Sequence, residues 1–122
     1  MSKGRGSQEN AINQIMRTIQ NDWIKENRSE IENFNRIQKE IVCVLYKNLV
    51  FSNLNCMNMS EIARMIGCTK MSVSMNVPRL VDLKIIKLAP YQRGRSRSIW
   101  LNKKDYPIWV NVVLVKLGLK NF

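Results

Sequence analysis

The sequence has no histidine, only three cysteines, and less than half as many acidic as basic residues. Cys43, Cys56 and Cys68 are an odd, widely spaced set, which disfavours a disulfide scaffold and favours a reducing compartment, so we expect a cytoplasmic protein. Without histidines or paired cysteines a zinc site lacks its ordinary ligands, and no pattern resembles a nucleophile with its base. The sequence therefore predicts no metal, no cofactor and no enzymatic activity.

Long apolar runs are also missing. The most apolar stretch, residues 106–119, is shorter than the roughly 20 residues of a membrane-spanning helix, and Asn111 and Lys116 interrupt it. The first ten residues carry no apolar segment after their charges. We therefore expect neither a signal peptide nor a membrane partner.

Positive charge is abundant and unevenly distributed. The chain has 20 Lys and Arg against 9 Asp and Glu, a net charge of +11. Residues 59–104 alone hold ten basic and two acidic side chains. This concentration indicates a polyanionic partner, and nucleic acid is favoured over a membrane because the cations gather at a predicted hairpin rather than on one helix face.

The first half of the chain is predicted to be helical. Residues 1–8 contain two glycines and basic residues, which is typical of a flexible arm. Helical spacing of apolar residues from Glu9 to Trp23 predicts one helix, and a second pattern runs from Ile31 to Leu49 behind a capping box of Ser29 and Glu32. No Pro or Gly separates the patterns, so the sequence leaves open whether they form one bent helix or two.

The middle third predicts two short helices and a hairpin. Asn58 and Glu61 form a capping box for a helix that ends at Gly67, and Thr69 caps the next helix. Extended stretches on both sides of residues 92–95 (QRGR) predict a β-hairpin. The fold class is thus mainly α with a small β-hairpin (α+β), arranged as a helix-turn-helix with a wing.

The last segment, residues 104–122, is predicted to be a helix capped by Asn102 or Asp105, with Pro107 in its first turn. Its apolar residues lie on all sides, so it needs burial on more than one face. We favour burial against a second subunit. The alternatives are a fully internal helix or a strand.

Residues 58–103 resemble the winged helix-turn-helix core of MarR-type and ArsR-type transcriptional regulators. Residues at the family's scaffold positions carry the resemblance: Ala63, Gly67, Thr69, Val73, Leu80 and the Ile85–Ile86 pair. Arg93, Gly94, Arg95 and Arg97 fall in the wing. The resemblance implies a homodimer that binds double-stranded DNA and is joined through its N-terminal and C-terminal helices.

Two residues depart from the family pattern. Lys84 stands where the family usually has glycine, and Pro78 falls inside the recognition helix. A proline there removes one backbone donor and predicts a kink or an early helix end. The cysteine pair of the metal-sensing ArsR proteins is absent.

The candidate DNA-binding residues fall in three groups. On the recognition helix, about residues 70–83 and expected in the major groove, they are Thr69, Lys70, Met71, Ser72, Ser74, Met75 and Arg79. In the wing, residues 91–98 and expected at the minor groove, they are Tyr91, Arg93, Gly94, Arg95, Ser96 and Arg97. In the arm they are Lys3 and Arg5.

The sequence thus predicts one winged helix-turn-helix domain, residues 9–122, that acts as a sequence-specific transcriptional regulator. Two alternatives stay open. The first is a plasmid or viral replication or partition protein. The second is a non-specific architectural protein that coats DNA, whose binding would depend almost entirely on salt.

Overall fold

The computed structural model describes the backbone of residues 3–53 and 55–121 and the side chains of residues 11–53 and 55–121. The helices are α1 (Lys3–Asn27), α2 (Arg36–Ser52), α3 (Met59–Ile66), α4 (Lys70–Asp82) and α5 (Pro107–Lys116), with a 3₁₀ helix (Arg28–Asn33) between α1 and α2. The strands are β1 (Met57–Asn58), β2 (Ile86–Leu88) and β3 (Ser98–Leu101). The chain is mainly helical with a small antiparallel sheet, which confirms the predicted α+β class.

The N-terminal half forms two helices with the 3₁₀ helix between them. The predicted cap by Ser29 and Glu32 is wrong. Asn35 caps α2 instead, because its Oδ1 accepts from the amide of Gln38 at 2.8 Å and its own amide donates to Gln38 Oε1 at 3.1 Å. The helix breaks here because Ile31 and Phe34, three residues apart, both enter the core, and a 3₁₀ helix places residues i and i+3 on the same side.

The N-terminal segment differs from the predicted arm. Helix α1 begins at Lys3, so the backbone of residues 3–8 is helical. The side chains of Lys3 and Arg5 are outside the part of the chain that the structure describes. Their predicted contact with DNA stays a prediction.

Helices α3 and α4 form the predicted helix-turn-helix. Asn58 and Glu61 make the expected capping box of α3. Gly67 ends α3 with φ +80°, a conformation that glycine adopts without steric cost, and its amide donates to Ala63 O at 2.9 Å. Thr69 Oγ1 accepts from the amide of Ser72 at 3.1 Å and caps α4.

One face of α4 is embedded in the core. Val73, Val77 and Leu80 are fully buried, as the sequence stripe predicted. Pro78 does not end the helix early, since α4 continues to Asp82. The core is completed by α2, α3, the sheet and α5.

The sheet has the order β1-β3-β2, with Met57 paired to Ile99 and Ile86 paired to Leu101. Strand β1 adds a third strand beyond the predicted hairpin. The hairpin strands are shorter than expected, because β2 ends at Leu88 and β3 begins at Ser98. Residues 89–97 between them form an irregular loop, and this loop is the wing.

Helix α5 is covered largely by its own chain: Trp109, Val110, Val113 and Leu114 are buried. Most of the apolar surface of α5 is therefore buried within its own chain, as in the alternative of an internal helix, and not against a second subunit. Pro107 occupies the first turn as predicted. No helix within residues 3–53 and 55–121 is long and apolar enough to cross a membrane.

The cap of α5 also differs from the prediction. Neither Asn102 nor Asp105 caps it; Gln20 of α1, 3% exposed, accepts from the amides of Ile108 at 2.9 Å and Trp109 at 3.3 Å. Asn102 Nδ2 instead donates to Lys84 O at 3.2 Å. Asp105 pairs with Lys87 at 2.5 Å, and this hydrogen bond and charge hold the pKa of the Asp105 carboxyl below its ordinary value.

Candidate nucleic-acid interface

The outer face of α4 exposes two large apolar side chains. At 100° per residue, Met71 and Met75 lie opposite the buried Val73–Val77–Leu80 stripe, and they are 72% and 75% exposed. Ser74 and Lys70 are also exposed on this helix. Exposed methionines contribute little to folding, so this face is suited to contact with another molecule.

The N-terminus of α4 is built around Thr69 and Ser72. Their hydroxyls lie 3.0 Å apart, and Thr69 also accepts from the Ser72 amide. The cap leaves other first-turn amides without partners inside the helix. Together with the nearby Lys70 ammonium, this end of the helix can accept a phosphate.

Arg79 lies away from the methionine face. Its Nη2 donates to Glu30 Oε2 at 2.8 Å, and its guanidinium carbon lies 5.8 Å from the centre of the Phe34 ring. The side chain of Arg79 is thus directed to the 3₁₀ helix in the free chain, and its predicted contact with DNA stays a prediction. Glu30 and Phe34 could not be identified as its partners from local sequence patterns, since they are more than 40 positions away.

The tip of the wing exposes Tyr91, Arg93, Gly94 and Arg95. Gly94 has φ +77°, and the amide of Arg95 donates to Gln92 O at 3.1 Å, which closes a tight turn. Two guanidinium groups thus stand on a narrow loop, a shape and charge that suit a minor groove and its flanking phosphates.

Arg97 and Ser96, at the base of the wing, make contacts within the chain. Arg97 is half-buried, and its Nε donates to Ala89 O across the loop at 2.9 Å. The Ser96 hydroxyl lies 3.4 Å from that of Ser60 in the first turn of α3. Arg93, Arg95 and Arg97 do not share one strand face, because no strand covers these positions.

Sequence reasoning missed Ser60 as a site residue. It is exposed beside the wing, two positions after the capping residue Asn58. Its position in the first turn of a capped helix was a usable signal, because such positions often contact phosphates. It joins the wing to the helix-turn-helix.

Across the described side chains, no group of three or more His, Cys, Asp or Glu is arranged to hold a metal ion. The three cysteines are present as free thiols, and only Cys56 is exposed.

The sequence matches no protein-family model and shows no significant match to a curated protein. Among solved structures the chain is similar to RV1404 from Mycobacterium tuberculosis, with a TM-score of 0.52 and 19% sequence identity over 93% of this chain and 71% of that chain. It also aligns with the heme sensor protein PefR from Streptococcus agalactiae in complex with heme, with a TM-score of 0.49 and 20% identity over 97% of this chain and 78% of that chain. At this identity, the likeness to RV1404 shows a shared fold.

Proposed function

We propose that the protein is a sequence-specific transcriptional regulator that binds double-stranded DNA as a homodimer. The observation that carries the proposal is the outer face of α4, where Met71 and Met75 are about three-quarters exposed opposite a fully buried stripe. A major groove about 12 Å wide admits one α-helix. Helix α4 enters the groove with this face toward the base edges.

The residues of α4 have distinct roles in this proposal. Met71 and Met75 contact thymine methyl groups, and Ser74 hydrogen-bonds to a base edge. Thr69, Lys70 and Ser72 bind the phosphate at the N-terminus of the helix.

The wing adds contacts outside the major groove. Arg93 and Arg95 bind the minor groove and its phosphates, while Tyr91 and Gly94 pack along the sugar-phosphate backbone of the DNA. Ser96 and Arg97 hold the wing in place through Ser60 and Ala89. Lys3 and Arg5 add cationic contacts from the N-terminal end of α1.

The dimer is proposed to form through α1. Ile12, Ile15, Met16 and Ile19 are 44–60% exposed and follow the i, i+3, i+4, i+7 spacing of a helix–helix seam. The same face of α1 continues toward its C-terminal end, where Gln20 caps α5 and Trp23 packs edge-to-face on Tyr106 with ring centres 6.0 Å apart. The four exposed residues are therefore the N-terminal part of a face whose C-terminal part is already covered within the chain.

The occupant of the exposed stripe is a second copy of this chain. A single apolar stripe on a long helix is self-complementary across a two-fold axis, and no other described surface carries four such residues at helical spacing. Two copies would present two α4 helices to half-sites about 10 base pairs apart, or a multiple of that.

The proposal is tested by selecting bound sequences from a random duplex library with the full chain at physiological salt. The expected result is a palindromic sequence with the stated half-site spacing. A lack of enrichment would support the non-specific coating alternative, and enrichment of a single, non-repeated site would exclude the two-fold dimer.

A further inference from the structure

One flank of α4 is bonded to the segment that joins α1 to α2. Ser72, Asn76 and Arg79 lie within a sector of about 60° on the helix, between the buried stripe and the methionine face. The ion pair of Arg79 with Glu30, 2.8 Å long, joins this flank to the 3₁₀ helix. Both side chains are partly exposed, at 38% and 44%.

A second bond lies one turn earlier on the same flank. Asn35 Nδ2 donates to Asn76 Oδ1 at 2.7 Å, and Asn76 Nδ2 donates to Ser72 O at 2.7 Å. The Oδ1 of Asn35 is meanwhile used to cap α2. Each side-chain amide therefore has partners at both ends, which fixes its orientation.

The Arg79–Glu30 bond connects α4 to the 3₁₀ helix, which adjoins the helix that carries the exposed apolar stripe, and the Asn35–Asn76 bond connects α4 to the capping residue of α2. The 3₁₀ helix follows α1 directly, at Arg28. Just beyond the other end of α4, Leu83 O accepts from Trp109 Nε1 of α5 at 2.6 Å, and α5 is held on α1 by Gln20. The two ends of α4 are thus both tied to structure that contains α1.

We propose that Arg79 and Asn76 are positioning residues: with Glu30 and Asn35 they fix the angle between α4 and α1, and thereby the half-site spacing that a dimer accepts. This inference rests on the proposed function. In a two-fold dimer joined through α1, the orientation of α4 relative to α1 determines the separation of the two recognition helices. Arg79 selects spacing and does not read a base.

The alternative role for Arg79 is direct contact with DNA. In that case Glu30 would compete with the DNA for Arg79, and reversing the Glu30 charge would strengthen binding. In the positioning role the charges of Glu30 and Arg79 are interchangeable as a pair. The two roles therefore predict opposite results when the charges are exchanged.

The first measurement requires no DNA. Spin labels are placed through unnatural amino acids at Arg17 on α1 and Ser74 on α4, both exposed, in chains diluted with unlabelled protein so that only intrachain distances are read. Glu30→Arg and Arg79→Glu should each broaden the distance distribution, and the exchanged variant carrying both should restore the wild-type width. Glu26→Arg, the same charge change on exposed α1 surface, serves as the control and should have no effect.

The second measurement uses duplexes carrying the selected half-sites at their natural spacing and with two base pairs inserted. Each single variant should reduce the discrimination between the two duplexes by about two- to fivefold, the range expected for a half-exposed ion pair. The half-site sequence itself should remain the preferred one. The exchanged variant should recover the wild-type discrimination.

The inference is overturned if neither single variant changes the distance distribution, or if the exchanged variant stays as defective as Arg79→Glu. If the wild-type chain selects no DNA sequence, the proposed function fails separately, and the spin-label distances alone decide whether the ion pair positions α4.

Discussion

At the scale of single residues, Met71 and Met75 are the side chains whose exposure most needs a partner. A methionine that packs on a thymine methyl removes apolar surface from water, and about 0.8 kcal/mol is gained for a buried group of that size. The thioether is also flexible enough to follow the groove floor. Sequence preference at such a position depends on the methyl group itself.

Replacing each thymine of the selected half-site by deoxyuridine, which lacks the methyl group, should identify the contact. Wild-type affinity should fall about fourfold at the contacted position, while Met75→Ala should bind both duplexes equally, as measured by fluorescence anisotropy. Met65→Ala, which removes an exposed methionine from α3, should behave as the wild type. If Met75→Ala lost the same affinity for every DNA sequence, α4 would contact only the DNA backbone.

Lys84 is a second residue with an unusual conformation. Its φ is +62°, in the left-handed region, at the position where glycine was the expected residue. A side chain there costs roughly 1–2 kcal/mol relative to glycine, and part of this is offset because glycine loses more entropy on folding.

Lys84→Gly should therefore increase the free energy of unfolding by up to about 1 kcal/mol, measured by urea denaturation. Lys84→Ala keeps the strained conformation and is the matched control, with no gain in stability expected. If the Lys84→Gly variant were less stable than the Lys84→Ala variant, the backbone strain inferred at Lys84 would be contradicted.

Several residues with a local role could be predicted from the sequence, although the local Asn35–Gln38 cap of α2 was missed, and residues with distant partners could not. Asn58, Gly67 and Thr69 act on neighbours within four positions, so their side-chain chemistry alone indicates caps and turns. Arg79 depends on Glu30, 49 positions away. Its charge predicted a role but not which partner it binds.

At the scale of elements, the wing is a loop held at its base by Arg97 and open at its tip. The three arginines are therefore not equivalent: Arg93 and Arg95 are exposed, whereas Arg97 donates to Ala89 O. Only cations that displace counterions from DNA contribute to the salt dependence of binding.

The Arg93→Ala, Arg95→Ala double variant should lower the magnitude of the salt slope by about 1.8, since each phosphate contact contributes roughly 0.9. Arg97→Lys, which keeps the charge and removes the Nε donor, should leave the slope unchanged. Plots of log K against log salt concentration give both values. An unchanged slope in the double variant would remove the wing from the interface.

Element boundaries followed the predicted caps for α3 and α4 but not for α2 and α5. Helices α3 and α4 begin at the predicted caps. The start of α2 was misplaced because Ile31 and Phe34 are buried in the core. The cap of α5 was missed because Gln20 lies 88 positions before Ile108. Tertiary contacts determined these boundaries.

At the scale of the whole molecule, the apolar stripe on α1 and the cationic middle third serve different contacts. The stripe lies on α1, outside the helix-turn-helix, so the proposed dimer contact and the proposed DNA contact use different residues. The sequence predicted the helical spacing of the stripe. The spacing alone did not show that Ile12, Ile15, Met16 and Ile19 remain exposed in the folded chain.

Ile15→Glu should convert the dimer to a folded monomer, because two carboxylates would be buried near the two-fold axis. Sedimentation velocity measures the mass, and circular dichroism confirms that the helices persist. Val50→Glu, at a residue 52% exposed on α2, is the control and should stay dimeric. A wild-type monomer, or a dimer unaffected by Ile15→Glu, would contradict a seam through α1.

The central claim is that α4 and the wing bind one DNA duplex together, and backbone amide NMR during titration with the selected duplex tests it most directly. We expect the amides of residues 69–75 and 91–96 to shift at the same protein-to-DNA ratio, while the buried residues of α5 remain unchanged. Shifts confined to the wing, or to α1 with α4 unaffected, would contradict the claim.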